Sequence, residues 1–347
     1  QKFNFSANTI QSVDIEYNGK LLKPGIDYLV DAAAPSFNFN GEVSLITFDS
    51  LNSNYHYDVM GHQLQYVMLD TFTEQYAENA AISLKKYYAD RNKLLIIRLS
   101  NSKLTWTSSS YQTKFCGITI KSDVIDRQSK AVFKIKVKSR FHKPYTSQNI
   151  LGVVPGTGKQ FKDSFIFFTA HYDHLGMMGK AVFPGANDNA SGIAMLLNLA
   201  KYYVANPQKY TLVFVAFSGE EIGLIGSNYF VKNPLVPLDN IKFLINIDLM
   251  ANGADGMMVV NGLVYYREFV KLKAINDQIH HLPDIKVRGK AKNSDHYYFS
   301  EAGVHSFFFY LMGDYPHYHD VNDTPDKVPL TNFLGAFNLI VDFVNVL

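Results

Sequence analysis

The stretch FIFFTAHYDHLG, residues 165–176, joins an apolar run to a cluster of titratable side chains. The run, residues 165–170, is followed at once by His171, Asp173 and His174. A continuous apolar run of this length is typical of a strand buried on both faces of a parallel sheet. In open α/β sheets, ligands bind beyond the carboxyl ends of the strands. The stretch therefore predicts an α/β sheet with a binding site at this strand end.

The same organisation continues through the second part of the chain. Further apolar runs predict strands at residues 211–217, 243–247, 256–260 and 306–311. Helices are predicted between and after them, one with the apolar face Ile193, Leu196, Leu197, Ala200 and Val204, and a last one with Phe333, Phe337, Ile340, Val344 and Leu347. This alternation predicts a three-layer αβα domain with a mostly parallel mixed sheet over residues 146–347.

Residues 1–145 have a different texture, with short alternating strands and turn signals. Strands are predicted at residues 13–17, 42–48, 94–99, 117–120 and 132–138, and a helix at residues 74–89. In the last of these strands, Lys134, Lys136 and Lys138 alternate with apolar residues, which is typical of a half-buried strand. Residues 140–147, which include Pro144, are interpreted as a boundary. The pattern predicts a small β-rich α+β domain ahead of the larger one.

Composition argues against two classes of protein, those that bind nucleic acids and those that span a membrane. Lys and Arg number 33 against 31 Asp and Glu, a net charge of +2, which argues against a nucleic-acid partner. No apolar run approaches the roughly 18 residues of a membrane span, so no integral membrane segment is expected. The single cysteine, Cys116, is predicted to be a small buried residue. The first residue is Gln1 rather than Met, and we expect an extracytoplasmic protein, periplasmic or secreted, with its signal peptide removed.

The candidate chemistry lies in five loops that follow predicted strands. These loops contribute His171, Asp188, Glu221, Asp248 and His319. Carboxylates gathered at one rim repel one another unless cations hold them together. Imidazole and carboxylate donors without cysteine suit Zn²⁺, with Mn²⁺ or Co²⁺ as replacements. Five ligands exceed the need of one tetrahedral ion that keeps a water, and they fit two ions about 3.5–4 Å apart.

An ordered series of motifs resembles the co-catalytic di-zinc aminopeptidases of metallopeptidase family 28. The series is His171-x-Asp173, Gly185-x-Asn187-Asp188, Gly219-Glu220-Glu221, Asn246-x-Asp248 and Tyr318-His319, with Ser294-Asp295-His296 and Asn322-Asp323-Thr324 as further family elements. It covers roughly residues 147–347, and the ordered set is far more specific than any one motif. The resemblance implies a zinc-exopeptidase-like fold, a peptide substrate and release of N-terminal residues, in a bacterial type of enzyme.

The resemblance also implies a role for each ligand. His171 and Asp248 would hold one zinc ion, Glu221 and His319 the other, and Asp188 would bridge both. This division follows the family pattern residue by residue. It gives Glu221 a different task from its neighbour, which fits adjacent residues that leave a strand in different directions.

Three further residues receive catalytic or supporting roles from the resemblance. Glu220 would be the general base, taking a proton from a metal-activated water and passing it to the leaving amine. Asp173 would orient the imidazole of His171. Tyr318 would hydrogen-bond the developing oxyanion, with aromatic packing as the alternative interpretation of this residue.

Other interpretations stay open. Carboxypeptidase action needs a basic residue to bind a free carboxylate, and Arg267 and Arg288 lie in the second domain. Glutaminyl cyclases of similar fold use one zinc ion, which the five-ligand set disfavours. A metal-free binding relative would have lost ligands or Glu220, which this chain keeps. The texture and position of residues 1–145 resemble the protease-associated domain, and an unrelated accessory domain is the alternative.

Overall fold

A computed structural model describes residues 1–46, 66–69 and 94–347. The helix predicted at residues 74–89 and the end of the strand predicted at residues 42–48 lie outside the described residues. Among the residues that the structure describes, no helix has both the length and the apolar character needed to cross a membrane.

The described strands, in chain order, are β1 (Lys2–Tyr17), β2 (Lys20–Leu21), β3 (Tyr28–Val30), β4 (Phe37–Glu42), β5 (Ser44–Ile46), β6 (Tyr66–Leu69), β7 (Leu94–Ser100), β8 (Phe115–Lys121), β9 (Val132–Gln148), β10 (Ile150–Val154), β11 (Phe165–His171), β12 (Gly176–Met178), β13 (Ala181–Phe183), β14 (Thr211–Phe217), β15 (Ile241–Ile247), β16 (Gly256–Val260), β17 (Ile285–Val287) and β18 (Ser306–Met312). The α-helices are α1 (Gly192–Ala205), α2 (Ile225–Lys232), α3 (Tyr266–Ile279), α4 (His296–Glu301) and α5 (Phe333–Asn345).

The second part of the chain contains a seven-stranded mixed sheet with the order β10-β14-β11-β15-β18-β16-β17. The central strands β14, β11, β15 and β18 are parallel, whereas β10 and β16 pair antiparallel with their neighbours β14 and β18. Because the central strands are parallel, their carboxyl ends meet at one edge of the sheet. This arrangement confirms the predicted mostly parallel mixed sheet.

Helices cover both faces of this sheet. Buried residues of α1, α3 and α5 share a core with Ile166 and Phe168 of β11, and those of α2 and α4 share a core with Phe167 of the same strand. Successive side chains of a strand point to opposite faces, so the apolar run of β11 supplies both cores. The three-layer αβα architecture is confirmed.

The apolar face predicted for α1 is partly wrong. Leu197 and Val204 are 63% and 69% exposed, whereas Met195, Leu199 and Tyr203 are buried. The ring of Tyr203 stacks on Phe168 of β11, with centroids 5.7 Å apart, so the face with Tyr203 turns inward. The face predicted for α5 is confirmed, with its members buried or packed against the same core.

The first part of the chain is rich in strands, as predicted. One sheet has the order β3-β8-β7-β6-β5, and a second has the order β13-β12-β1-β9-β4, with β2 beside β1. Along β9, Phe133, Ile135 and Val137 are buried and the intervening lysines are exposed, which confirms the predicted alternation. Cys116 is fully buried, also as predicted.

Residues 140–147, expected to mark the boundary, lie within β9 and pair with β1. The register shifts between the pair Phe5–Tyr145 and the pair Ala7–His142, and Pro144 lies at this irregularity. A proline is tolerated there because the ladder needs no N–H from it. The division at residue 145 and the likeness to a protease-associated domain therefore stay predictions.

Strands β12 and β13, from the second part of the chain, belong to the sheet of the first part. Ile10 of β1 pairs with Met178 of β12 in parallel, and Met178 and Phe183 are buried in the same core as Ile10. The two parts are therefore joined by a shared sheet and a shared core.

Candidate metal centre and active site

The ends of the central strands bring the candidate residues together. His171 ends β11, Asp248 directly follows β15, and Glu221 lies four residues beyond β14. Asp188 comes from the irregular segment ahead of α1, and His319 from the loop after β18. All five line one cavity of about 190 Å³, whose wall also includes Glu220, Arg288 and Tyr318.

The five residues form two groups that share Asp188. The Nε2 atom of His171 lies 3.3 Å from Oδ1 of Asp188 and 3.4 Å from Oδ2 of Asp248. The Nε2 atom of His319 lies 3.1 Å from Oδ2 of Asp188 and 3.3 Å from Oε2 of Glu221. Each oxygen of Asp188 thus faces a different imidazole, which is the arrangement that a bridging carboxylate requires.

The polar atoms of this cluster fit divalent cations. Asp188 and Asp248 are buried, and Oδ1 of Asp248 has no hydrogen-bond partner among the described residues. Burial raises the pKa of Asp248, since a charge in this place is poorly solvated. Imidazole nitrogens and carboxylate oxygens without thiolates are a donor set that zinc accepts. The residues present therefore fit two metal ions.

His174 is a neighbour of the cluster to which the sequence motifs gave no role. Its Nδ1 atom lies 2.7 Å from Oε1 of Glu221 and 4.0 Å from Oδ1 of Asp188. Together the three residues form another group able to hold a metal ion. The spacing His171-x-x-His174 was the signal that could have identified it, since both residues lie at the carboxyl end of β11.

The backbone of Asp173, rather than its carboxylate, contacts the ring of His171. Nδ1 of His171 donates to the carbonyl oxygen of Asp173 at 3.0 Å, while the nearest carboxylate oxygen is 3.9 Å away. The Asp173 carboxylate instead accepts the backbone N–H groups of Glu220 and Glu221, at 3.2 and 3.3 Å. It thereby fixes the loop that presents both glutamates.

Two further motif residues support the cluster. The carboxylate of Asp323 accepts the backbone N–H groups of Asn187 and Asp188, at 2.8 and 3.1 Å. The hydroxyl of Ser294 donates to Oδ2 of Asp248 at 3.3 Å. These contacts hold the bridging and terminal carboxylates in place, which is the usual task of residues behind a metal ligand.

Glu220 lines the cavity beside the cluster. Burial raises the pKa of Glu220 well above its ordinary value, and the neighbouring carboxylates add to this effect while His171 opposes it. A carboxylate with a raised pKa is suited to accept and return a proton near neutral pH. Tyr318 also lines the cavity, and its ring stacks on His319 with centroids 3.8 Å apart. Both interpretations of Tyr318 are compatible with this position.

Only one of the two arginines considered for carboxylate binding lines the cavity. Arg288 does so, and its Nη1 atom donates to the hydroxyl of Tyr310 at 3.2 Å. Within the described ranges, Arg288 makes no ion pair. Arg267 is exposed near the start of α3 and is not part of the cavity wall.

Several known proteins share this fold or part of the sequence. The structure of the zinc aminopeptidase from Bacillus subtilis superposes with a TM-score of 0.72 at 20% identity, covering 99% of this chain and 84% of that one. A peptidase M28 precursor from Shewanella amazonensis superposes with a TM-score of 0.70 at 17% identity, covering 99% and 82%. At these identities the likeness shows the fold.

The sequence comparisons give information about the family as well as about the fold. Aminopeptidase YwaD of Bacillus subtilis is 28% identical over 229 residues, which cover 63% of this chain and 48% of that protein. This chain therefore aligns with about half of that protein's length. The family model described as Peptidase family M28 matches residues 149–344, more than half of the chain and the part that supplies every residue of the metal cluster. The chain belongs to peptidase family M28.

Proposed function

We propose that the chain is a zinc-dependent aminopeptidase that hydrolyses N-terminal residues from peptides. The observation that carries this proposal is the pair of imidazole–carboxylate groups that share Asp188, with Glu220 in the same cavity. Membership of peptidase family M28 and the similarity to an aminopeptidase of Bacillus subtilis support it.

In this proposal, His171 and Asp248 hold one zinc ion, Glu221 and His319 hold the other, and Asp188 bridges them. Bound zinc supplies Lewis acidity and lowers the pKa of water toward about 7. The protein supplies the fixed geometry. Asp173 and Asp323 accept hydrogen bonds from the backbone of the loops that carry the ligands, and Ser294 donates one to a ligand carboxylate.

Glu220 transfers the proton in this proposal. Its carboxylate accepts a proton from the attacking water and returns it to the leaving amine, so the expelled group departs as a neutral amine. Burial and the neighbouring carboxylates raise the pKa of Glu220, whereas bound cations would lower it. Tyr318, on the cavity wall, donates a hydrogen bond to the oxygen on which negative charge develops.

Hydrolysis of aminoacyl p-nitroanilides, with zinc counted per chain in the same sample, tests the proposal. We expect turnover of the free-amine substrates and none of their N-acetylated counterparts, at about two zinc ions per chain. Equal turnover of acetylated substrates would contradict an aminopeptidase. Ammonia release from a peptide with N-terminal glutamine, without peptide-bond cleavage, would support glutaminyl cyclase activity instead. No bound metal and no turnover would support a binding relative.

Arg288 favours a second candidate, binding of a substrate carboxylate as in a carboxypeptidase. It is a cation on a cavity wall that otherwise carries several carboxylates, and no described carboxylate neutralises it. A hydrogen-bonded ion pair with a terminal carboxylate would then tighten substrate binding. Dipeptides with a free C-terminus and their amides, of the same sequence, distinguish the two candidates.

For Arg288→Gln, we expect kcat/KM for free dipeptides to fall roughly ten- to hundredfold, the range of a charged hydrogen bond, with little change for the amides. Arg267→Gln is the matched control, because Arg267 lies outside the cavity wall, and it should behave like the unmodified protein. Release of the C-terminal residue from N-acetylated dipeptides would show carboxypeptidase action. Equal loss on free dipeptides and amides would contradict a carboxylate-binding role for Arg288.

A further inference from the structure

Residues 103–108 of the first part of the chain, which we call the strap, contact the loops that carry two of the candidate metal ligands. The backbone N–H of Trp106 donates to the carbonyl of His319 at 3.0 Å, and the carbonyl of Trp106 accepts from Nδ1 of His319 at 2.9 Å. The hydroxyl of Ser108 donates to the backbone carbonyl of Glu221 at 2.7 Å. Residues outside the family-matched region, residues 149–344, therefore contact both ligands of one proposed zinc ion.

The strap is itself anchored in the core of the first part. The ring of Trp106 is buried, its Nε1 donates to the carbonyl of Val30 at 2.7 Å, and it stacks on Phe183 with centroids 4.8 Å apart. Just beyond the strap, the carbonyl of Ser109 accepts the N–H of Asn8 at 2.9 Å. These contacts involve none of the candidate metal ligands, and they fix the position of the Trp106 carbonyl.

The contact with Trp106 also selects the tautomer of His319. A carbonyl oxygen only accepts hydrogen bonds, so Nδ1 of His319 must carry the proton. In the neutral ring, the lone pair then lies on Nε2, the atom that faces Asp188 and Glu221. This is the form in which an imidazole binds a metal ion.

Lys103 holds the loop on which His319 lies. Its ammonium group lies 2.9 Å from Oδ2 of Asp320 and donates to the carbonyl of Tyr318 at 2.8 Å, and it also contacts the carbonyl of Pro316. His319 has φ of +56°, in the left-handed region that side chains other than glycine seldom adopt. The contacts of Lys103 on both sides of His319 stabilise the loop in this conformation.

We infer that the strap is a positioning element for the metal position formed by Glu221 and His319, whereas the position formed by His171 and Asp248 does not depend on it. The inference rests on the metal sites of the proposed function. It gives the first part of the chain a task at this metal position: Trp106 sets the ring of His319, and Ser108 holds the backbone carbonyl of Glu221, whose N–H group Asp173 holds from within the family-matched region.

Ser108→Ala and Lys103→Met in the full chain test the inference. We expect each variant to bind one of the two zinc ions about 10- to 100-fold more weakly and to bind the other as before. A loss of this size is usual when a hydrogen-bond partner of a metal ligand is removed. The measurement is zinc release to a series of chelators of graded affinity, with the absorption spectrum of the cobalt-loaded protein as a second readout.

Two control variants separate positioning from general destabilisation. Lys114→Met changes an exposed lysine of the same region that makes no ion pair or hydrogen bond with the described residues, and it should retain both ions as the unmodified protein does. Ser108→Thr keeps the hydroxyl and should restore binding. We expect the metal-free Ser108→Ala protein to melt at the same temperature as the unmodified metal-free chain.

Two results would overturn the inference: unchanged zinc release in both Ser108→Ala and Lys103→Met, or parallel loss of both ions with a lowered melting temperature. The chelator assay needs no substrate, so it is independent of the peptidase assay. Two bound ions without turnover of free-amine substrates would overturn the aminopeptidase proposal. The zinc-release measurement would still test the role of the strap. A chain that binds no zinc at all would overturn both.

Discussion

Glu220→Gln is expected to lower kcat by roughly 10²- to 10⁴-fold, the usual contribution of a general base, while the protein keeps two zinc ions. Glutamine has nearly the same shape as glutamate, so the cavity and the ligands around it stay in place. Its amide cannot accept a proton from water or return one to the amine. The measurement is kcat on an aminoacyl p-nitroanilide together with zinc counted per chain.

The pattern of the two readouts decides whether Glu220 has this role. Near-normal kcat would show that another group transfers the proton. Loss of zinc together with kcat would show that Glu220 helps to hold a metal ion. Glu301→Gln is the matched control, because Glu301 is an exposed glutamate at the end of α4 that pairs with Lys290 and is not part of the cavity wall, and we expect full activity.

Glu221→Gln is expected to reduce the zinc content from about two ions to about one and to abolish most turnover. The carboxylate of Glu221 lies between the rings of His174 and His319, 2.7 and 3.3 Å away. Burial favours its neutral form, but the neighbouring imidazole rings of His174 and His319 lower its pKa and so favour the anionic form. A neutral amide is a much poorer ligand, and its NH₂ group would also face one of the rings.

Zinc counted after dialysis against a weak chelator measures this loss, and Glu220→Gln is the matched comparison, since it makes the same change one residue earlier. Retention of both ions by Glu221→Gln would contradict the assignment of Glu221 as a ligand. In that case His174, which is already next to the cluster and groups with Asp188, would be the first candidate to hold the second ion.

Much of the seven-stranded sheet could be predicted because its central strands are apolar on both faces. The runs that form β11, β14, β15 and β18 can be recognised without knowledge of their partners, since burial between two helical layers leaves few polar positions, such as Thr169 and Asn246. Strand ends in a parallel sheet meet at one edge, so His171 and Asp248 could be placed together from their positions after such runs. The face of α1 was harder to predict, because apolar residues lie around much of that helix and its rotation depends on the packing of Met195, Leu199 and Tyr203 against the sheet.

The contacts that other residues make with the metal ligands could not be predicted from the sequence. Trp106 acts on His319 through its backbone, and every residue has a carbonyl group, so the side-chain pattern contains no signal for this contact. The same holds for Asp173, whose carbonyl rather than its carboxylate meets His171. His174 was visible in its motif, but its place beside Glu221 depends on how the chain turns after β11.

The pairing of β1 sets the order in which this protein can fold as it leaves the ribosome. Tyr17 pairs with Phe133 and Lys2 with Gln148, so more than a hundred residues separate the partners, and Ile10 meets Met178 later still. Apart from its short pairing with β2, β1 therefore stays without a partner strand until most of the intervening chain has been synthesised, and contacts of such long range form slowly. Nascent chains stalled before residue 132 should consequently be bound by chaperones at β1, because its long partner strand β9 has not yet been made.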